Sequence, residues 1–462
     1  MKKHPTFFMR LVSPVYQGAW RLARPFLGKH KRLADGWDER LVPDGWVDGF
    51  EGKTVWIQAA SGGEAYLLVN IAKELVARLQ GQDAAKLRIL ATTCTRQGMD
   101  VLEKGLPAAH GLRENAGMDA ADANVRFILR YFPLDEPRLM QQAIEQAAPA
   151  QIVLLETELW PGLLMAAWQN DIPVQILNGR ITPKSMSGYG MLPAPFWKKL
   201  APRKILAVSA PDAERYSALF GGEAVGQMPN IKFDLLAARQ AGQLPGAPGS
   251  SDASGEPDGG SGKIALFASV RKQEADQVAK AIQALKKQAP DSQIVLAPRH
   301  LHHVSVWQRH ISLVGLKSEL RSEVGDEQIS PQELFAGLAE DAKSAVLIWD
   351  KFGELKKLYS LASAAYVGGS LVPLGGQNFL EALASGIEPC IGPFYSNFAW
   401  AGEEILEMTR QVDTPDQLAA NIAGQLEKPA CRKEVQEQFA KSVARQQGGT
   451  GMAVDAIIEL LG

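Results

Sequence analysis

The chain has 462 residues, 46% of them apolar and 22% charged, with a formal net charge of −2. That length implies two or three domains with ample core, and the near-neutral charge argues against a nucleic-acid binder. Three cysteines, Cys94, Cys390 and Cys431, lie far apart without CxxC spacing, which fits a reducing compartment and excludes both a disulfide scaffold and a cysteine-built zinc site.

The first 34 residues form a basic segment. Lys2, Lys3, Arg10, Arg21, Arg24, Lys29, Lys31 and Arg32 meet no acidic residue before position 33. Phe8, Leu11, Val12, Val15, Tyr16, Ala19, Leu22 and Phe26 recur at helical steps, as on one face. No run approaches the ~20 apolar residues that span a bilayer, and a signal peptide's clean apolar segment and cleavage site are missing. Such a segment can lie on an anionic membrane surface or pack on its own domain, and the pattern leaves both open. Pro14 and Pro25 are expected to interrupt any single long helix here.

A first series of buried parallel strands is expected at 55–60, 87–94, 151–156, 174–179 and 204–210, with a helix over 64–79 and a capping-box start at Ser209 and Asp212. Residues 240–262, crowded with Gly, Pro and Ser, read as a flexible linker. Strands resume at 263–269, 293–298, 345–350, 364–369 and 389–393. The expected architecture is α/β. Two doubly wound Rossmann-like domains, 35–239 and 263–462, face each other across a cleft that is the default site.

The polar residues that invite a function fall at the carboxyl ends of those strands. Ser61-Gly62-Gly63-Glu64 follows the first strand, Glu156 and Glu158 end the third, Asn178 and Arg180 end the fourth, and Lys232 lies near the domain boundary. In the second half, Ser269 and Arg271, then Pro298-Arg299-His300, then Gly353, then Gly368-Gly369-Ser370 follow successive strands. The stretch "SLVPLGGQNFLEALASG" (370–386) places Gly375 and Gly376 before a short apolar helix that carries Glu381. Paired glycines and a helix start suit a phosphate, and Glu381 suits sugar hydroxyls, although on these residues alone an ordinary strand-to-helix turn is the simpler reading. "RHLHH" (299–303) reads as a solvated loop far more readily than as a metal site. GxGxxG after a strand, GxxxxGK[ST] and GxSxG are all absent.

Six ordered segments, "ETELWP" (156–161), "NGRIT" with "GY" (178–189), "NIKFD" (230–234), "GEL…LY" (353–359), "GGSLVPLGGQNFLEALASG" (368–386) and "GPFYSNF" (392–398), resemble the Kdo (3-deoxy-D-manno-octulosonic acid) transferase family. The resemblance runs from about Arg32 to the C-terminus. It implies a two-domain GT-B glycosyltransferase that takes CMP-Kdo as donor and a lipid A precursor as acceptor, in lipopolysaccharide inner-core synthesis. It implies a peripheral place on the cytoplasmic face of the inner membrane, and no cofactor or metal. By similarity Glu64 is the general base, while Glu156 and Lys232 stabilise the transition state. Pro298, Arg299, Phe352, Gly353, Glu354, Asn378, Phe379, Leu380 and Glu381 match the segments that hold CMP, and Gly368, Gly369, Ser370, Gly375 and Gly376 match phosphate-side loops. Gln58 and Gln377 stand where the family commonly has histidine, "SGGE" replaces "SVGE", and "VRKQE" (270–274) replaces a "THEGE"-like segment. These departures leave open the acceptor and the number of sugars added. Two other readings are a GT-B enzyme using a UDP-sugar, either transferase or epimerase, and a catalytically silent nucleotide-binding paralogue.

Overall fold

A computed structural model describes residues 7–28, 31–79, 86–106, 125–157, 159–240, 263–324, 330–337 and 345–461. Glu158 and, apart from Gln240, the expected linker lie outside the described residues. The chain divides into two compact units: the first holds the chain through Arg239 and again from Gln446, and the second ends at Arg445.

The first unit is built on β1 (Lys53–Ala59), β2 (Leu87–Thr93), β3 (Val125–Tyr131), β4 (Gln151–Leu155), β5 (Val174–Gly179), β6 (Lys204–Ala207) and β7 (Val225–Gln227). All pairs are parallel, in the order β3-β2-β1-β4-β5-β6-β7. The central strands are covered on both faces, so β2 and β4 are buried at every position, as continuous apolar runs require. The strand order reverses between β1 and β4. In a doubly wound sheet that reversal opens a crevice beyond the carboxyl ends of the two strands.

The second unit repeats this logic with β8 (Ile264–Val270), β9 (Gln293–Pro298), β10 (Ser318–Leu320), β11 (Val346–Ile348), β12 (Ala364–Val367), β13 (Cys390–Ile391) and β14 (Arg410–Gln411). Its order is β10-β11-β9-β8-β12-β13-β14, again all parallel. Here the switch point lies between β8 and β12. Two Rossmann-like units of α/β class are therefore present, as expected.

Three details depart from expectation. Pro14 and Pro25 do not break the first helix, which runs Phe7–Leu27 through both. The helix is held from outside its own ladder. Tyr16 donates to Asp135 Oδ2 at 2.8 Å, Arg138 N–H donates to Gln17 Oε1 at 3.2 Å, and Met9 is buried in the unit's core. Such tertiary anchoring outweighs the two ladder N–H groups that Pro14 and Pro25 remove. The apolar positions, read as one face, divide between two. Val12, Tyr16 and Trp20 pack on the core, whereas Leu11, Val15, Leu22 and Phe26 are 55%, 74%, 77% and 77% exposed.

Finally, the second domain was expected to run to residue 462, but the helix Gly449–Glu459 belongs to the first unit. Asp234 Oδ2 accepts from both Thr450 N–H and Thr450 Oγ1 at 2.6 Å, meeting amide donors at the helix start. Gln151 and Gln175 donate to the carbonyls of Ile457 and Ala456 at 2.8 and 2.9 Å. Ala453, Val454 and Ile457 complete the apolar layer on that face of the sheet.

Candidate functional site

In the first unit the switch point gathers Glu64, Glu156 and Lys232. The helix Gly62–Leu79 starts directly beyond β1 and carries Glu64 in its first turn. The Glu64 side chain folds back: Oε2 accepts from Ala60 N–H at 2.5 Å and Oε1 from Ser61 Oγ at 3.3 Å. The residue is 7% exposed. Burial pushes its pKa up to about 7, and the negative charge of Glu156 adds to the rise. The two hydrogen bonds and the positive charge of Lys232 pull the other way without cancelling it.

Glu156 leaves β4 in the left-handed region, φ 59°, as does Asn178 at the end of β5, φ 55°. Such conformations cost about 1–3 kcal/mol in a non-glycine residue and persist where the surroundings hold them. The surroundings are explicit. Tyr216 OH donates to the carbonyls of Glu156 and Arg180 at 3.0 Å each, and Tyr189 OH donates to Thr157 O at 2.9 Å. Asn178 Oδ1 accepts from Ile231 N–H at 2.9 Å, and Asn178 Nδ2 lies 3.5 Å from Glu156 Oε1. Asn178 thereby seats the helix Ile231–Gln240, whose second residue, Lys232, ion-pairs with Glu156 Oε1 at 2.5 Å.

Gln58 is fully buried within this sheet. It accepts from Thr92 Oγ1 at 2.5 Å and donates to Cys94 Sγ at 3.3 Å, so its side chain is engaged inside the protein.

The second unit's switch point is organised by a residue the sequence did not single out, Glu274. Its carboxylate is fully buried and accepts from Arg271 N–H at 2.8 Å, Gly369 N–H at 2.7 Å and Tyr366 OH at 2.8 Å. One acid thus joins the turn after β8 to the turn after β12. A Cβ on Gly368 would stand 2.5 Å from both Glu274 Oε1 and Val270 Cα, which is why glycine is required there. Gly375, at φ 86°, is packed against the Asn397 side chain, where a Cβ would approach to 2.5 Å.

Several amides of the expected phosphate-side loops are engaged within the turns themselves. The N–H groups of Gly368, Gly369, Gly376 and Gln377 go to Ala268 O, Glu274, Gly369 O and Gly368 O. Ser370 Oγ donates to Val367 O and accepts from Gly392 N–H. Turn closure engages these four amides and the Ser370 hydroxyl.

The other matched segments divide by side chain. Pro298, Phe379 and Leu380 are buried, whereas Arg299, Phe352, Gly353 and Glu381 are exposed. Asn378 Nδ2 donates to Glu381 Oε1 at 2.8 Å, and Glu354 Oε2 accepts from the Trp349 indole at 3.0 Å. Among the described residues no cluster of three His, Cys, Asp or Glu side chains is arranged to hold a metal.

Comparison with known proteins follows the same lines. Residues 35–235 match the family model described as 3-deoxy-D-manno-octulosonic-acid transferase (kdotransferase). The chain is 28% identical over 415 residues to the 3-deoxy-D-manno-octulosonic acid transferase of Bordetella pertussis, covering 88% of this chain and 87% of that one. It is 28% identical over 348 residues to the Haemophilus influenzae transferase of the same name, covering 74% and 71%. The crystal structure of Anabaena Alr3699/HepE in complex with UDP shares the fold, with a TM-score of 0.52 at 12% identity over 88% of this chain and 98% of that one. The motifs at the strand ends, the paired Rossmann-like units and these matches agree: residues 35–235 carry the domain of the Kdo transferase family, and the chain is similar to Kdo transferases over most of its length.

Proposed function

We propose that this enzyme transfers Kdo from CMP-Kdo to a lipid A precursor in lipopolysaccharide synthesis, working at the cytoplasmic face of the inner membrane without a metal or other cofactor. The observation that carries the reading is the buried carboxyl of Glu64, whose proton affinity lies near neutral pH beside the Glu156–Lys232 pair. A general base poised near the operating pH is the most effective one.

Glu64 takes the proton from the acceptor hydroxyl as that oxygen bonds to the anomeric carbon of Kdo. The bond from that carbon to the CMP phosphate oxygen breaks, and CMP leaves with the electron pair. Positive charge builds on the sugar in between. Glu156 and Lys232, fixed as an ion pair before reaction, stabilise that charge distribution without having to reorganise. In the second unit, Pro298-Arg299, Phe352-Gly353-Glu354 and Asn378–Glu381 hold the nucleotide, with Arg299 and Glu381 as the accessible charged side chains. The donor carries a single phosphate and does not demand a bridging metal.

The exposed stripe Leu11, Val15, Leu22 and Phe26, flanked by exposed Arg10 and Arg21, rests the first helix on an anionic membrane surface. Among the described residues no helix is long and apolar enough to cross a membrane.

The test is incubation with CMP-Kdo and a tetraacylated lipid A precursor, followed by mass spectrometry of the lipid. The lipid is expected to gain the mass of one or more Kdo residues, and Glu64→Gln is expected to slow that gain by about 10²–10⁴-fold. An unmodified lipid with wild-type enzyme, or full transfer by Glu64→Gln, overturns the reading.

A further inference from the structure

Four turn amides at the second unit's switch point are engaged in turn closure, and the same sheet end gathers a set of cationic and ionisable side chains. Val270 and Pro298 are register partners, and Arg299 N–H donates to Val270 O at 2.9 Å. Arg271 and Arg299 therefore leave adjacent strands side by side. The turn Leu301–His303 follows at once, and it stacks three imidazoles. Ring centroids are 4.0 Å apart for His302 and His303, 5.5 Å for His300 and His302, and 6.1 Å for His300 and His303. Lys272, Arg299, His300 and His302 are exposed.

Among the described residues, the charged groups that act on His300 and His303 are all basic. Beyond burial, the groups acting on His300 are Arg271, Arg299, His302 and His303, and each lowers its proton affinity. Those acting on His303 are His302, Lys272 and Arg271, again lowering it, with one opposing hydrogen bond. The carboxylate on this turn, Glu274, is turned into the core onto Arg271 N–H, Gly369 N–H and Tyr366 OH. Several like charges held together without a counter-charge repel, and an arriving anion relieves that repulsion.

We propose that Arg271, Lys272, His300, His302 and His303 form a subsite for the carboxylate of a sugar-acid nucleotide, beside Arg299 at the phosphate. The inference rests on the donor reading above and deepens it. In CMP-Kdo the carboxylate and the phosphate oxygen hang on the same anomeric carbon, so the donor presents two anions a few bonds apart. Two strand ends carrying one arginine each, with three imidazoles following the second, match two anions rather than one. A nucleotide of a neutral sugar places nothing in the second position. Binding an anion here raises the affinity of the imidazoles for protons. Donor binding therefore takes up protons and tightens as pH falls, over a window that reaches below the ordinary histidine range because His300 and His303 start from lowered proton affinities.

The test compares wild type with His302→Gln/His303→Gln, and with the single His302→Gln at the exposed position in case the double variant folds poorly. Losing charge-assisted contacts to one anion is expected to raise KM for CMP-Kdo about tenfold in the double variant and less in the single one. Inhibition by CMP, which lacks the carboxylate, is expected to stay within about twofold of wild type. The wild-type fall in donor KM between pH 8 and pH 6 is expected to disappear in the double variant. An unchanged donor KM, or CMP inhibition that weakens by the same factor as donor binding, overturns the subsite. Wild-type enzyme that CMP does not inhibit overturns the donor reading itself, and the subsite with it.

Discussion

The Lys232 ammonium lies 2.5 Å from Glu156 Oε1, and the two charges act on the Glu64 carboxyl in opposite directions. Glu156 raises its pKa and Lys232 lowers it. The variants Glu156→Gln and Lys232→Met should therefore move the acidic limb of the kcat/KM–pH profile in opposite senses. Without the Glu156 charge, Glu64 ionises more readily and the limb moves below about pH 7. Without Lys232, the Glu156 charge is uncompensated and the limb moves above it. Both variants are also expected to lose roughly 10²–10³ in kcat, the usual loss when one preorganised charge is removed. A common direction of shift would separate Glu64 from the pair.

Glu64→Gln removes the base, and the expected loss of transfer is about 10²–10⁴-fold, with the pH 7 limb gone from what remains. The same variant reports on stability. The folded-state pKa of Glu64, about 7, lies above its ordinary value of 4.5. Between those values the folded protein holds a proton that the unfolded chain has released. Wild-type stability therefore falls as pH rises across that window, and the penalty is fully present above it. Glu64→Gln carries no such penalty. It should melt higher than wild type at pH 8, with the difference shrinking towards pH 4.5, as followed by thermal unfolding at fixed ionic strength.

The parts legible in the sequence are those set by local pattern. Runs such as "VWIQAA" and "QIVLLE" are apolar at consecutive positions because both faces of their strands are covered, and they fold as β1 and β4. β3 (VRFILRY) escaped because it is an edge strand, where Arg126 and Arg130 break the run. β7, β10 and β14 are only three or two residues long, too short to show a period. The placement of the last helix depends on Asp234 meeting Thr450 across 216 residues, and no local pattern encodes that. Glu64, Glu156 and Lys232 were visible as acids and a lysine at strand ends and near the domain boundary. Glu274 was not, because its meaning lies in two turns brought together by the strand order. The apolar positions of the first helix were all visible, but helical spacing alone could not divide a core-facing set from an exposed one.

Gly368→Ala should unfold the second unit before it affects chemistry in the first. The new methyl would meet Val270 Cα at 2.5 Å and Ser269 O at 2.8 Å, both backbone atoms that cannot rotate away, as well as the Glu274 carboxylate. Overpacking of this kind costs about 1–3 kcal/mol, and disturbing a buried carboxylate with three donors adds to it. The expected readout is a lowered melting temperature with weakened CMP binding. An unaltered melting curve would show that the two turns are not tied through Glu274. Gly424→Ala, where a Cβ meets nothing within 4 Å, is the matched control.

Leu22→Glu/Phe26→Glu tests the exposed stripe of the first helix. Both side chains are 77% exposed and take no part in the core, so the folded structure loses little by their replacement. The side of the helix that packs on the unit, Met9 with Tyr16 and its bond to Asp135, is untouched. What changes is affinity for a lipid surface. Two large apolar side chains no longer enter the interface, and two carboxylates face anionic headgroups instead. Burial of each such side chain is worth about 1.5–3 kcal/mol, so partitioning onto vesicles of anionic phospholipid should fall by at least about a hundredfold in a flotation assay. Arg10→Gln/Arg21→Gln should weaken binding less, and that loss should fade at high salt, because each basic residue contributes only about 1 kcal/mol through a screened field. Transfer to a detergent-dispersed acceptor should survive in both variants while transfer to vesicle-embedded acceptor drops. Unchanged flotation of Leu22→Glu/Phe26→Glu would remove the membrane from the function of this helix and leave its outer face without that role.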